Sequence, residues 1–336
     1  MNNLLEMKHV AVNFMTYGGT VHAVRDISFS IEEGQTVALV GESGCGKSIT
    51  AKTIMGLVKK PGKVMEGSQI LFDGNDITGY SSKEWKTFRG KECSMIFQDA
   101  LVSLNPTMKI GRQIMESLDN HTLSLSKEEK KHKVIEMLKL TGIADAEGCL
   151  EKYPHELSGG MRQRVMIAIA LISHPKLLIA DEPTTSLDVT IQAQILSQMK
   201  ALQKQLNMAI LLITHDLGIV ADVADKIIVM YAGKIVEEGT TREIFYHPEH
   251  PYTKALLNSV PRLDREGKHL LRTIEGNIPD MTNPPKGCAF CDRCPHAMNI
   301  CAQYMPEERI ITESHRASCW MMDERAGRRG EEHGDI

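Results

Sequence analysis

A glycine-rich stretch between residues 41 and 48 contains the residue types that bind phosphate groups. The apolar run Val37 to Val40 precedes it in the pattern of a β-strand, and helical spacing begins at Ser48. Glycines in such a turn let successive backbone N–H groups point at phosphate oxygens, while the lysine reaches the β- and γ-phosphates and the next hydroxyl ligates Mg²⁺. A ligand-free glycine turn could match the octet alone, but the flanking strand and helix favour a nucleotide-binding P-loop. Its residues are Gly41, Glu42, Ser43, Gly44, Cys45, Gly46, Lys47 and Ser48.

Two further apolar strands end in residues that could act on the bound phosphate. One delivers Asp181 and Glu182, of which Asp181 would hold Mg²⁺ through water and Glu182 would polarise an attacking water. The other ends at His215, which could contact the γ-phosphate. In isolation the acidic pair could cap the following turn, and a lone histidine after a strand is usually structural. Taken together, Lys47, Glu182 and His215 are the predicted catalytic residues.

A second device for binding anions lies far from the first. Ser158, Gly159 and Gly160 stand directly before a long helical run over 165–173, and a helix N-terminus attracts negative charge. One chain therefore carries two phosphate-binding elements.

Strands and helices alternate around these sites, which predicts a parallel, doubly wound sheet. Residues 5–36 instead alternate apolar and polar side chains as in a small antiparallel sheet. Tyr17 or Phe14 in this part could stack on an adenine ring, although a phenylalanine in an alternating strand is more often a core residue. Helical spacing dominates from 110 to 141 and indicates a helical insertion, with a capping box at 126–129.

Composition limits the functional classes. The 336 residues include Lys+Arg 39 and Asp+Glu 43, a net charge of -4, which gives no global reason to expect nucleic-acid binding. The longest apolar runs, such as 209–213, are far below the roughly 18 residues that span a bilayer. The first residues lack the features of a secretory signal, so we expect a cytosolic, reducing setting.

With these residues in place, the chain resembles the ATP-binding subunits of ABC transporters over about residues 5–320. Within that family it is most similar to the oligopeptide/dipeptide (and nickel) uptake group, through stretches such as FQDALVSLNP, ITHDLGIVADVAD and HPYTKALL. Ala100 and Ser186 depart from residues common in that group, but neither position contacts phosphate or supplies a carboxylate. The matching motifs are the P-loop octet, Gln98 of the Q-loop, the signature Leu157-Ser-Gly-Gly-Met161, Asp181 with Glu182, the D-loop Ser186-Leu-Asp188 and His215.

The resemblance implies a mechanism shared between two chains. Two such ATPase domains pack head to tail, so Ser158 to Gly160 would serve the ATP held by the partner's P-loop. The resemblance also places Gln98 with Ser48 and Asp181 at the Mg²⁺, and has Gln98 and the helical insertion face the permeases. The implied partners are a second, related ATPase, two membrane permeases and an external solute-binding protein, with this chain peripheral on the cytoplasmic face of the membrane and no nucleic acid bound.

Five of the eight cysteines lie between residues 288 and 319. In a reducing compartment such clustering favours metal ligation over disulfides. The resemblance implies a [4Fe–4S] cluster on Cys288, Cys294, Cys301 and Cys319. Cys291 is extra to that pattern and creates two C-x2-C pairs that would also suit zinc, and unmetallated thiols are a third alternative. We expect this centre to be structural, so that loss of a cysteine leaves nucleotide binding largely intact.

The expected fold is α/β: a P-loop NTPase of the ABC ATPase type with a RecA-like parallel-sheet core, an antiparallel β subdomain, a helical subdomain and a small Cys-rich C-terminal extension. We expect an ATP-binding domain over 1–250 with the helical subdomain at about 100–165, the extension over 251–322 and a disordered tail over 323–336. The expected function is ATP hydrolysis that powers peptide import. Nickel or another small solute is the alternative, and less favoured rivals are a soluble ABC ATPase of DNA repair or translation and a zinc-type nucleic-acid module in the tail.

Overall fold

The computed structural model describes residues 3–98, 103–121, 125–185, 187–259 and 274–323. Ala100, Ser186 and the expected disordered tail after Asp323 lie outside the described residues.

A mixed sheet forms the centre of the fold. Five neighbouring strands, β10, β3, β9, β8 and β7, run parallel. Beside β10, the strands β11, β13 and β12 continue the sheet in antiparallel pairing. The order across the sheet is β12-β13-β11-β10-β3-β9-β8-β7. The carboxyl ends of the parallel strands meet at one edge, where ligands bind in folds of this kind. The strands are β3 (Thr36–Val40), β7 (Cys93–Ile96), β8 (Leu177–Asp181), β9 (Ala209–Thr214), β10 (Lys226–Tyr231), β11 (Lys234–Thr240), β12 (Arg309–Ile310) and β13 (Arg316–Ala317).

The apolar runs of the parallel strands are buried on both faces. In β9, Ile210 and Leu212 belong to one hydrophobic cluster while Leu211 and Ile213 belong to another. Successive side chains of a strand point to opposite faces, so a continuous apolar run supplies both layers of the core. Each fully buried aliphatic side chain of this kind contributes about 1.5–3 kcal/mol.

A second, antiparallel sheet contains the N-terminal strands, as their alternating pattern predicts. Its long hairpin pairs β1 with β2, and β1 also pairs with β4 and β5. The strands are β1 (Asn3–Thr16), β2 (Gly19–Glu32), β4 (Gly62–Val64), β5 (Gln69–Phe72) and β6 (Asn75–Asp76).

Helices cover the sheets and form the predicted insertion. The capping box at Ser126 and Glu129 is present, with each side chain bonded to the other residue's backbone N–H. Within the described ranges, no helix is long and apolar enough to cross a bilayer. The helices are α1 (Lys47–Ile54), α2 (Ser82–Phe88), α3 (Ile110–His121), α4 (Lys127–Leu140), α5 (Ala146–Glu151), α6 (Gly159–Leu171), α7 (Val189–Leu206), α8 (Leu217–Val223), α9 (Thr241–Tyr246), α10 (Pro251–Ser259) and α11 (Asn299–Gln303).

The C-terminal segment, residues 274–323, packs against the sheet instead of forming a core of its own. Phe290 is 1% exposed, and its ring lies 5.3 Å from the rings of Tyr231 and Tyr252. Strands β12 and β13 pair with each other, and β13 pairs with β11. The segment thus shares a hydrophobic cluster with strand β10 and helix α10.

Glu243 joins this segment to the sheet through hydrogen bonds. Its carboxylate accepts from the hydroxyls of Thr240 at 2.8 Å, Thr312 at 2.6 Å and Ser314 at 2.9 Å. Burial raises the pKa of Glu243, but the hydrogen bonds from Thr312, Thr240 and Ser314 outweigh it and lower the pKa to about 2.

We expect Glu243 to make stability depend on pH in acid. The pKa of a glutamate in an unfolded chain is about 4.3, so the unfolded chain takes up this proton first. The stabilisation present above that pH is therefore lost as the pH falls towards 2. Glu243→Gln should lower the melting temperature at pH 7 and flatten its fall between pH 4.5 and 2, measured by circular dichroism. Glu307→Gln, at an exposed carboxylate, is the control, and an unchanged pH profile in Glu243→Gln would contradict the assignment.

Candidate active site

The P-loop has the close backbone approach that its glycines predict. Gly41 has φ 153°, and a Cβ there would lie 2.1 Å from the carbonyl oxygen of Met230. Gly46 precedes α1 with φ 107°, and its Cβ would lie 2.5 Å from the carbonyl oxygen of Ala23. The ammonium of Lys47 donates to the carbonyl oxygens of Gly41 at 2.8 Å and Glu42 at 2.9 Å. The lysine therefore lies inside the loop.

Ser48 and Asp181, two of the three predicted Mg²⁺ ligands, lie in contact. The Ser48 hydroxyl donates to Oδ1 of Asp181 at 2.9 Å. Burial raises the pKa of the Asp181 carboxyl, and the Ser48 hydrogen bond opposes that shift. Gln98, the third, instead donates its amide to Oε2 of Glu182 at 2.9 Å.

Glu182 is the centre of the hydrogen-bonded group. Its carboxylate lies 3.1 Å from Nδ1 of His215, accepts from Gln98, and accepts from the Thr185 hydroxyl at 3.0 Å. Burial raises the pKa of Glu182, but the hydrogen bonds from His215 and Thr185 outweigh it, so the pKa is lowered. The group stays an anion, as a base for water requires. Sequence reasoning did not identify Thr185, because a threonine in a turn carries no distinctive signal.

The backbone at Glu182 turns sharply. Its φ of 48° is in the left-handed region, which costs a non-glycine residue of order 1–3 kcal/mol. Its N–H donates to the carbonyl oxygen of Ile213 at 2.9 Å, which fixes the turn against strand β9. This turn places the carboxylate opposite the residue that follows β9.

The second anion-binding element is on the surface. Ser158 and Gly159 are exposed, and the Ser158 hydroxyl accepts from the N–H of Met161 at 3.3 Å as the cap of α6. A Cβ on Gly159 or Gly160 would contact Leu187 or Ile191. The signature thus lies beside the beginning of α7, with Ser158 and Gly159 exposed and Gly160 half-buried.

The two candidate adenine platforms differ in exposure. Phe14 packs against a hydrophobic cluster, and a Cβ on Gly62 would lie 2.6 Å from its ring. Tyr17 is 114% exposed, so its ring is available for stacking.

The C-terminal cysteines lie in one region without forming a metal geometry. The N–H of Cys288 donates to the carbonyl oxygen of Cys301 at 2.7 Å, and that of Cys294 to Cys291 at 3.2 Å. Burial and the neighbouring thiols raise the pKa of Cys288 to about 12 and that of Cys319 to about 11. In the part of the chain that the structure describes, no three His, Cys, Asp or Glu side chains are arranged to hold a metal ion. Four thiols have the chemistry of cluster ligands, but their placement does not by itself indicate a metal.

A phosphate-binding loop, a strand-end carboxylate pair and a histidine at one edge of a parallel sheet define a P-loop ATPase. Among solved structures, a post-hydrolysis dimer of an ATP-binding cassette bound to ADP and phosphate matches with a TM-score of 0.64 and 26% identity over 71% of this chain and 99% of that chain. CbiO1 from Clostridium perfringens matches with a TM-score of 0.63 and 30% identity over 74% of this chain and 92% of that chain. Residues 24–185 match the family described as ABC transporter.

Relatives in sequence indicate which group of ABC transporter proteins the chain resembles. The chain is 51% identical to a dipeptide transport ATP-binding protein of Bacillus subtilis, over 97% of each chain. It is 50% identical to an oligopeptide transport ATP-binding protein of Salmonella typhimurium, over 94% of this chain and 93% of the relative. Residues 236–301 match the oligopeptide/dipeptide transporter C-terminal region. The chain therefore belongs to the family of ABC transporter ATP-binding proteins, in its oligopeptide/dipeptide group, and it hydrolyses ATP.

The fold prediction is confirmed for the ABC ATPase. The roles of individual residues stay predictions, although the structure brings most of them to one place. Ser48 meets Asp181, and Gln98 and His215 meet Glu182.

We expect Glu182→Gln to separate binding from hydrolysis. The amide cannot accept a proton from water, so turnover should fall by about 10²- to 10⁴-fold while ATP affinity is kept. Lys47→Ala should instead weaken nucleotide binding itself. Phosphate release and titration with a fluorescent ATP analogue measure the two effects, and Glu151→Gln, at a surface carboxylate paired with Lys109, is the matched control. Near-normal hydrolysis by Glu182→Gln would remove Glu182 from this role.

Proposed function

We propose that this chain powers the import of oligopeptides or dipeptides across the cytoplasmic membrane. The observation that supports this most is identity of about half over nearly the whole length with peptide-transport ATP-binding proteins, C-terminal region included. In this proposal, ATP hydrolysis at Glu182 drives the conformational cycle of the transporter.

The active unit would be a head-to-tail pair of ATPase domains. Ser158 to Gly160 are exposed or half-buried at the start of α6, where a partner's ATP could reach them. One solved structure with a similar fold is a dimer of ATP-binding cassettes bound to ADP and phosphate. The second domain would be a related ATPase, which makes a heterodimer with two composite sites.

The remaining partners would be two permeases and an external solute-binding protein. The chain would lie peripherally on the cytoplasmic face of the membrane and bind no nucleic acid. Gln98 is suited to report nucleotide state to the permeases, because its amide contacts Glu182 and α3 follows it in the sequence. The domain bounds 1–250 and 251–322 belong to the same proposal.

Within the site, Ser48 and Asp181 would hold Mg²⁺ directly and through water, and Gln98 would join them by leaving Glu182. Tyr17 would stack on adenine, since its ring is exposed while that of Phe14 is packed. Mg²⁺ would screen the phosphate charges during attack by water.

Uptake by a strain that lacks this chain tests the proposal. We expect the wild-type chain and Glu151→Gln to restore uptake of radiolabelled di- and oligopeptides, and Glu182→Gln to fail at equal abundance in the membrane fraction. Nickel uptake should not respond. Restoration of nickel uptake alone would assign the chain to a nickel importer, and restoration of neither would remove it from solute import.

We also propose that Cys288, Cys294, Cys301 and Cys319 bind a [4Fe–4S] cluster. Thiolates are the ligands of such clusters, and all four side chains are cysteines. The C-x2-C pairs that Cys291 creates would also suit zinc, so metal content distinguishes the two. The cluster would cross-link the loop-rich part of the chain between Cys288 and Cys319.

Metal analysis of anaerobically purified protein tests the cluster. We expect iron and acid-labile sulfide in about a four-to-four ratio and a brown colour. Cys301→Ser should bleach the protein, whereas Cys291→Ser should keep its colour and serves as the matched control. Stoichiometric zinc would replace the cluster by a zinc site, and bleaching by Cys291→Ser would show that the four ligands are wrongly chosen.

A further inference from the structure

Two side chains bind the P-loop at Glu42: Arg293 of the C-terminal segment and Tyr252 of helix α10. The guanidinium of Arg293 donates to both carboxylate oxygens of Glu42, Nη1 to Oε2 at 2.6 Å and Nη2 to Oε1 at 2.9 Å. The backbone N–H of Glu42 donates to the Tyr252 hydroxyl at 2.9 Å. Both the side chain and the backbone of the second P-loop residue are therefore fixed from outside the loop.

Arg293 is held rigidly. Its Nε donates to the carbonyl oxygen of Glu275 at 2.9 Å, Nη2 to that of Ile274 at 3.0 Å, and Nη1 to the Tyr231 hydroxyl at 3.2 Å. Its side chain is 5% exposed. A bidentate guanidinium–carboxylate pair defines a geometry as well as an energy, and a buried pair is strongly destabilised when one partner is removed.

Tyr252 reaches the loop from a buried aromatic cluster. The residue is 0% exposed, and its ring lies 4.6 Å from that of Tyr231 and 5.3 Å from that of Phe290. The packed rings hold its hydroxyl beside the N–H of Glu42.

Glu42 connects these contacts to the lysine that binds phosphate. Its carbonyl oxygen accepts from the ammonium of Lys47 at 2.9 Å. Displacement of Glu42 would move an acceptor of Lys47 and the N–H groups of the loop. Fixed donors in a loop bind phosphate more tightly than mobile ones, because their ordering need not accompany binding.

We propose that Arg293 and Tyr252 are positioning residues that keep the P-loop in its phosphate-binding conformation. ATP affinity then depends on the folded C-terminal segment, in contrast to the expectation from sequence that changes in the cysteine region leave nucleotide binding intact. Arg293 ends the short 3-10 turn Cys291–Arg293 and directly precedes Cys294, so the order of the cysteine loop sets the position of the guanidinium.

Nucleotide titration of full-length variants tests the proposal. We expect Arg293→Gln to raise the dissociation constant of a fluorescent ATP analogue about tenfold, and Tyr252→Phe, which removes one oxygen and keeps the packed ring, to raise it about threefold. In the assembled transporter, KM for ATP should rise while kcat at saturating ATP changes less than about twofold, because the P-loop contacts phosphate in both the ground state and the transition state. Arg309→Gln, which breaks the ion pair with Asp323 elsewhere in the segment, should leave both constants unchanged.

Further variants separate positioning from stability. Arg293→Lys keeps one charged contact and should recover part of the affinity. Glu42→Gln combined with Arg293→Gln should bind no more weakly than the worse single variant, since both changes remove the same contact. Melting temperatures identify the folded variants. Wild-type affinity in folded Arg293→Gln and Tyr252→Phe, with only a lowered melting temperature, would overturn the proposal. If the wild-type chain binds no better than Lys47→Ala, the P-loop assignment itself fails.

Discussion

Parallel pairing among β3, β9 and β8 determines where the P-loop begins and where Glu182 and His215 lie. Val40 pairs with Thr214, and Asp181 pairs with Ile213. Gly41 follows β3, Glu182 follows β8 and His215 follows β9. The register therefore brings the P-loop, the predicted base and the histidine to one edge of the sheet. A shift of one residue in a strand would turn its side chains to the opposite face and separate these groups. The apolar runs that fix this register are buried on both faces, and Asp181, Glu182 and His215 lie at or directly after the carboxyl ends of these strands.

The site combines a rigid part and a responsive part. Lys47 and Ser48 have partners within the loop and strand β8, and Glu42 is fixed by the C-terminal segment. Glu182, in contrast, shares its carboxylate among Gln98, Thr185 and His215, each of which lies in a different connection. Exchange of one of these hydrogen bonds for a bond to water or Mg²⁺ would alter the others. Such a shared acceptor would suit the head-to-tail pair of ATPase domains that we propose, in which hydrolysis would follow the approach of the partner.

Short-range patterns predicted most of the fold and the reactive residues. The P-loop, the strand ends at Asp181 and His215, and the capping box at Ser126 each depend on a few consecutive residues with a defined conformation. The contact between Arg293 and Glu42 could not be predicted, because 251 residues separate its partners and neither belongs to a spacing pattern with the other. The burial of Phe290 could not be predicted either, because it depends on the rings of Tyr231 in β10 and Tyr252 in α10, which are distant in sequence. The left-handed backbone at Glu182 also escaped prediction, since a glutamate carries no preference for it.

The two short strands near the C-terminus also cover an exposed boundary of the molecule. Strand β11 would otherwise present its outer N–H and C=O groups, and unpaired edges of this kind promote association between copies of a protein. Pairing with β13 occupies Glu237 and Glu238 of that edge. His315, just before β13, also contacts the buried carboxylate of Glu237 at 2.8 Å. A chain cut before His315 would therefore leave the buried Glu237 side chain without this contact and the edge of β11 open, and its characteristic failure would be aggregation.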